Sequence, residues 1–158
     1  MGAKILSLSE LSQRADAIHQ AGERLVLTNG CFDLLHVGHV RYLRQARDLG
    51  DFLVVAVNGD ESVRSLKGAG RPLNSEEDRA EVLAALECVD FVTIFPALRV
   101  TEVIKALRPA IYVKGGDYTL ESLDAEEVAA LKSVDAEIRT LPLVPGKSTS
   151  GLIARMQQ

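Results

Sequence analysis

Apolar residues at Leu8, Leu11, Ala15 and Ile18 recur at the spacing of one helical face, and Gly22 stands where a helix would stop. The chain therefore opens with a predicted helix over residues 8–22. The period then changes: residues 25–28 are a short apolar run closed by Asn29-Gly30, and strand-like runs return at 52–57, 91–94, 111–113 and 137–140. Helical stretches fall between and after them, around 37–49, 75–86, 100–107, 125–133 and 150–156. Strand alternating with helix predicts an α/β fold with a doubly wound, five-stranded parallel sheet. No repeat, low-complexity tract or Pro/Ser-rich linker breaks the alternation. The expectation is a single domain over 1–158, with a leading helix in 1–22 and the core in 25–158.

Glycines cluster after the predicted strands: Gly30 and Gly38 after the first, Gly59, Gly68 and Gly70 after the second, Gly115 and Gly116 after the fourth, Gly146 after the fifth. Ligands of open α/β sheets sit beyond the carboxyl ends of the strands, where the strand order reverses. In a 3-2-1-4-5 order that crevice lies between strands one and four. The segments TNGCFDLLHVGH and KGGDYT would face each other there, with PGKSTS alongside.

Composition narrows the function classes. The 158 residues are 47% hydrophobic and 25% charged, the balance of a packed globular domain. A net charge of −4 offers no overall field for nucleic acid or an anionic membrane, so any anionic ligand must be held locally. Cys31 and Cys88 form no close-spaced metal pair, and neither a secretory leader nor a membrane-length apolar run is visible, so a cytoplasmic setting is expected.

His36-Val37-Gly38-His39 opens the helix after the first strand. Histidines three apart share a helical face, and a helix N-terminus with two imidazoles suits a phosphate; two ordinary capping histidines would read the same way. A metal site adding Cys31 and Asp33 is a third reading, although the spacing fits no standard zinc pattern. Lys67 and Arg71 lie in a stretch with Gly68 and Gly70 and are expected on a loop free to fold over the site, or else on a merely solvated basic loop. Gly146-Lys147-Ser148-Thr149 resembles the tail of a P-loop, but Leu141 stands where that motif needs its first glycine. Ser148, Thr149 and Ser150 are better read as the cap and first turn of the closing helix, aimed at an anion.

Taken together and in this order, these motifs resemble the cytidylyltransferase-like nucleotidyltransferases, whose HxGH motif and S/T-rich helix start match His36-Val37-Gly38-His39 and Ser148-Thr149-Ser150. Within them the chain is similar to the D-glycero-β-D-manno-heptose 1-phosphate adenylyltransferases through LTNGCFDLLHVGHVRYLRQARDLGD, VAVNGDESVRSLKGAGRPLNSEEDRAEVLAALECVDFV, VKGGDY and KSTSGLI. The resemblance implies a Rossmann-like fold and transfer of AMP from ATP, with Mg²⁺, to a sugar 1-phosphate. It implies catalytic roles for His36, His39 and Lys67. Gly30, Cys31, Phe32, His36, Gly38, His39, Gly115, Asp117, Ser148 and Thr149 would bind the nucleotide, and Asp33, Lys67 and Arg71 the acceptor or pyrophosphate, with Asp33 alternatively ordering its loop. A homodimer is also implied, with an apolar surface on the leading or second helix as one place for its contact.

Two departures matter. Where relatives carry an acidic EDTP-like segment, this chain has Pro96-Ala97-Leu98-Arg99-Val100-Thr101, which leaves the sugar open. Where glycerol 3-phosphate cytidylyltransferases have Arg-Thr-Glu-Gly, it reads Leu143-Val144-Pro145-Gly146-Lys147, which favours ATP over CTP. A cytidylyltransferase for another phosphorylated sugar or polyol, and a non-catalytic nucleotide-binding module, stand as the alternatives. These residues hold no sugar-kinase half, so a separate kinase is expected to supply the acceptor.

Overall fold

The computed structural model describes residues 3–116, 119, 121–142 and 144–158. Asp117, expected in the nucleotide site, lies outside the described residues. In chain order the elements are α1 (Leu8–Gln20), β1 (Leu25–Gly30), α2 (Val37–Arg47), β2 (Phe52–Asn58), α3 (Asp60–Lys67) and α4 (Glu76–Ala84). They continue with β3 (Phe91–Phe95), α5 (Thr101–Leu107), β4 (Ile111–Gly115), α6 (Ala125–Ser133), β5 (Glu137–Leu141) and α7 (Thr149–Met156).

The strands form one parallel sheet in the order β3-β2-β1-β4-β5, a Rossmann-like α/β fold. The reversal falls between β1 and β4, paired through Val26 and Ile111. Alternate residues of a strand face opposite sides of the sheet. Leu25, Leu27, Val54, Ala56 and Tyr112 pack with Leu11 and Ile18 of α1, Ile104 and Leu107 of α5, and Leu131 of α6. Val26, Val55, Val57, Ile111 and Val113 pack on the other side with Leu43 and Ala46 of α2 and Ala80 and Leu83 of α4. Burial on both faces is why the inner strands are unbroken apolar runs. β5 lies at the edge, where exposed Glu137 and Arg139 discourage further strand pairing.

Helix starts follow their caps. Ser7 and Glu10 form a reciprocal capping box on α1, Ser75 caps α4 and Asp124 caps α6. Two expectations change. Lys67 is the last residue of the helix α3, not part of a loop, and Arg71 is held by Asp33 instead of being free to swing. On α1 and α2, the helices named as one place for a dimer contact, the apolar residues Leu11, Ala15, Ile18, Leu43 and Ala46 are buried in this chain's own core. Cys31 and Cys88 are free thiols, and among the described residues no helix is long and apolar enough to cross a membrane.

Candidate active site

Beyond the carboxyl ends of β1 and β4 lies a cleft of about 680 Å³. It is lined by every described residue to which the sequence resemblance gave a catalytic or binding role: Gly30 to Asp33, His36, Gly38, His39, Lys67, Arg71, Gly115, Ser148 and Thr149.

His36 is the N-cap of α2, and its Nδ1 accepts from the Gly38 N–H at 3.0 Å. His39 Nδ1 accepts from the His36 N–H at 3.3 Å, and the two rings lie 4.0 Å apart between centroids. A neutral imidazole that accepts at Nδ1 carries its proton on Nε2, so both rings present Nε2–H donors. Burial, with Lys147 adding to it, lowers the basicity of His36. Burial and the neighbouring His36 push His39 down to about 4. At neutral pH His39 is therefore an uncharged donor. The backbone N–H groups of His36 and Gly38 serve the imidazoles themselves, which leaves the two Nε2–H groups as the donors this turn has to offer a ligand.

Gly38 is needed for this arrangement. A Cβ there would lie 2.7 Å from His36 Cε1 and 2.8 Å from its Nδ1. At Gly30 a Cβ would meet the Phe32 ring at 2.9 Å, and Phe32 itself sits at φ 49°, a left-handed conformation held as the ring turns back over the strand end toward His39. One turn into α2, the Tyr42 hydroxyl lies 2.7 Å from Thr28 Oγ1 of β1 and donates to the Val113 carbonyl of β4 at 3.1 Å. This contact fixes the histidine-bearing helix against both strands of the switch point.

The closing helix is docked onto the same loop. Ser148 caps α7 by accepting from the Gly151 N–H, and Thr149 Oγ1 donates to the Leu34 carbonyl at 2.8 Å. The adjacent Lys147 brings its charge to His36. On the other flank, the buried Asp33 carboxylate accepts from Arg71 Nε and the backbone N–H groups of Leu73 and Asn74. Burial pushes the Asp33 carboxyl up, but these bonds outweigh it and hold it below the usual carboxylate range. Its oxygens are thus spent on ordering the segment 71–74. Burial raises the Cys31 thiol despite the pull of Lys67, Arg79 and Arg71, so it stays protonated at neutral pH. Neither group suits the metal site weighed from the sequence, and among the described residues no three His, Cys, Asp or Glu side chains cluster to hold a cation.

Two residues of the cleft, Lys114 and Glu127, and one that supports it from behind, Arg79, were missed in the sequence. Arg79 of α4, 2% exposed, donates to the carbonyls of Cys31, Asn58 and Asn74 and to the Asp60 carboxylate, joining the ends of β1 and β2 to the loop before α4. Its position on the face of Ala80 and Leu83 was a readable signal for a buried arginine. Lys114 and Glu127 line the cleft itself. Glu127 carries no comparable signal, since an acid in the first turn of a helix is ordinarily solvated.

The model of the Cytidylyltransferase-like family matches residues 27–156. The chain is 50% identical over 155 residues to the bifunctional protein HldE of Geotalea uraniireducens and 44% identical over 154 residues to that of Aliarcobacter butzleri. Each match covers 98% of this chain, which spans 31% of the length of either relative. Among solved structures, the lipopolysaccharide core biosynthesis protein from Thermoplasma volcanium superposes with a TM-score of 0.64 at 26% identity, covering 78% of this chain and 98% of that one. The pantoate-beta-alanine ligase from Francisella tularensis gives a TM-score of 0.60 at 12% identity over 94% of this chain and 69% of that one, a likeness of fold alone.

Proposed function

The chain belongs to the cytidylyltransferase-like family of nucleotidyltransferases, and from that premise we propose that it transfers AMP from ATP to a sugar 1-phosphate and releases pyrophosphate. The acceptor proposed is D-glycero-β-D-manno-heptose 1-phosphate, giving ADP-heptose. The observation that carries the reading is the pair of cleft-lining histidines whose Nδ1 atoms are both occupied by backbone N–H groups, which leaves the proton of each neutral ring on Nε2. The name of the Thermoplasma volcanium protein, which places it in lipopolysaccharide core biosynthesis, supports a sugar acceptor.

An acceptor phosphate oxygen attacks the α-phosphorus, and the bond to the pyrophosphate oxygen breaks in line. No covalent enzyme intermediate is needed, so catalysis rests on positioning and on stabilising charge at the transferring phosphoryl group. His36 and His39 donate to its oxygens as negative charge develops. An uncharged, pre-aimed donor loses little reorganisation energy there. Lys147 and the start of α7 hold the polyphosphate, while Lys67 and Arg71 face the acceptor phosphate or leaving pyrophosphate; Arg71 acts from the place Asp33 assigns it. Gly30, Cys31, Phe32 and Gly115 border the nucleotide.

Mg²⁺ enters this reading as part of the nucleotide. Of the described residues lining the cleft, Asp33 and Glu127 carry carboxylates, and a bound ion would take most of its ligands from water and the phosphates. When bound, it neutralises charge on the phosphates. The proposed setting is the cytoplasm and the proposed assembly a homodimer, which sedimentation analysis would test.

The functional test supplies each of four nucleoside triphosphates with a panel of sugar and polyol phosphates and measures pyrophosphate. ATP with a sugar 1-phosphate is the expected productive combination. Preference for CTP would overturn the base assignment, and ATP binding without turnover on any acceptor would favour a non-catalytic module.

A further inference from the structure

Strand alternation divides the cleft. The histidines sit at the start of α2, on the sheet face of Val113, while Lys114, the next residue of β4, falls on the face of Tyr112, toward α5 and α6. On that side the lining includes Lys114, Leu98, Arg99 and Glu127. Glu127, 5% exposed, accepts from the Val100 N–H at 3.3 Å. Arg99 pairs at 3.4 Å with Asp124, the cap of the helix that carries Glu127. The segment Pro96 to Thr101 is thereby joined to the cleft through Glu127.

A buried carboxylate is an odd wall for a site that must admit two polyanions. It repels phosphate, so the phosphates belong with the histidines, Lys147, Lys67 and Arg71, and the carboxylate faces a donor-rich, uncharged portion of a ligand. On the proposed reaction the ribose of ATP and the sugar ring of the acceptor are both such portions; the reading taken here is the acceptor, and ATP affinity measured alone tells the two apart. We propose that Glu127, steadied by Lys114 and flanked by Leu98 and Arg99, selects the acceptor by accepting hydrogen bonds from its sugar hydroxyls.

Lys114 fits the role of support. Burial lowers its basicity, Glu127 raises it and Arg99 lowers it, the balance of an ammonium group kept near a carboxylate in a partly dry site. A charged acceptor for a hydroxyl discriminates well, because a ligand lacking that hydroxyl leaves the buried carboxylate without its partner. Residues 96–101 would then tune which sugar fits, by setting the position of the Val100 N–H and of Arg99.

This inference rests on the sugar 1-phosphate reading, and its test separates the two. Glu127→Gln and Arg99→Ala are compared with wild type for steady-state kinetics on sugar 1-phosphates and their deoxy analogues, for binding of ATP alone by calorimetry, and for thermal melting. Glu127→Gln is expected to lower kcat/KM for the hydroxylated acceptor by roughly 10- to 100-fold and to narrow its advantage over the deoxy analogue, leaving ATP affinity within about twofold. Arg99→Ala, at an exposed side chain, is expected to raise acceptor KM without altering the melting temperature. Unchanged acceptor kinetics in both variants would overturn the inference and leave the function standing. Equal losses in ATP binding and acceptor kinetics would overturn it in favour of a structural role, and a wild type inert toward every sugar phosphate would remove the proposed function and the inference together.

Discussion

At His39 the main chain chooses the tautomer: the His36 N–H occupies Nδ1, so the proton resides on Nε2, where the cleft can use it. Its lowered pKa has a consequence for stability. The folded value of about 4 lies below the ordinary 6.5, so the unfolded chain binds more protons between them. The contribution of neutral His39 is complete above pH 6.5 and is lost as pH falls toward 4, at most about 3 kcal/mol. Chemical denaturation across that window should show the loss, and His39→Gln should flatten it. Gly38→Ala separates geometry from stability. Alanine is the better helix former, but its Cβ would displace the His36 ring. We expect an unchanged or raised melting temperature together with at least a tenfold loss of turnover; retained turnover would show that the position of His36 is unimportant.

Among the elements, those with a strong period were legible. All five strands and the helices α1, α2, α4, α5, α6 and α7 lie where the hydrophobic pattern put them, within a few residues at their ends. α3 was not seen because eight residues carry only Val63 and Leu66 as large apolar positions, too few to define a period. Its charges did hold the signal: Asp60 and Glu61 in the first turn and Arg64 and Lys67 in the last complement the helix dipole. The site was legible where chemistry is written in motifs, as in His36 to His39 and Ser148 to Thr149. It was illegible where a tertiary contact assigns the role, as with Arg71 on Asp33 and Arg79 across two strand ends. Arg79→Met should therefore cost about 3 kcal/mol or more in denaturant unfolding, because it strands buried carbonyls and removes the partner of Asp60. Tyr42→Phe, which deletes one hydroxyl between α2 and β4, should cost only about 1 kcal/mol.

Over the whole molecule, an acidic chain concentrates cations in one place. The net charge is −4, yet Lys67, Arg71, Arg99, Lys114 and Lys147 line the cleft, with Asp33 and Glu127 as its described carboxylates. Salt screens such a local field, so added salt should raise KM for the nucleotide severalfold and leave kcat nearly constant. The fold explains the concentration: strand order 3-2-1-4-5 gathers the loops after β1, β2, β4 and β5 at one reversal point. On the proposed function, the histidine pair is what makes that cleft catalytic. The direct measurement is pyrophosphate release from ATP and a sugar 1-phosphate by wild type and His39→Ala, with ATP affinity determined for both. We expect release by wild type and a loss of roughly 100-fold or more in the variant, which still folds. Near-normal release by His39→Ala would contradict the account.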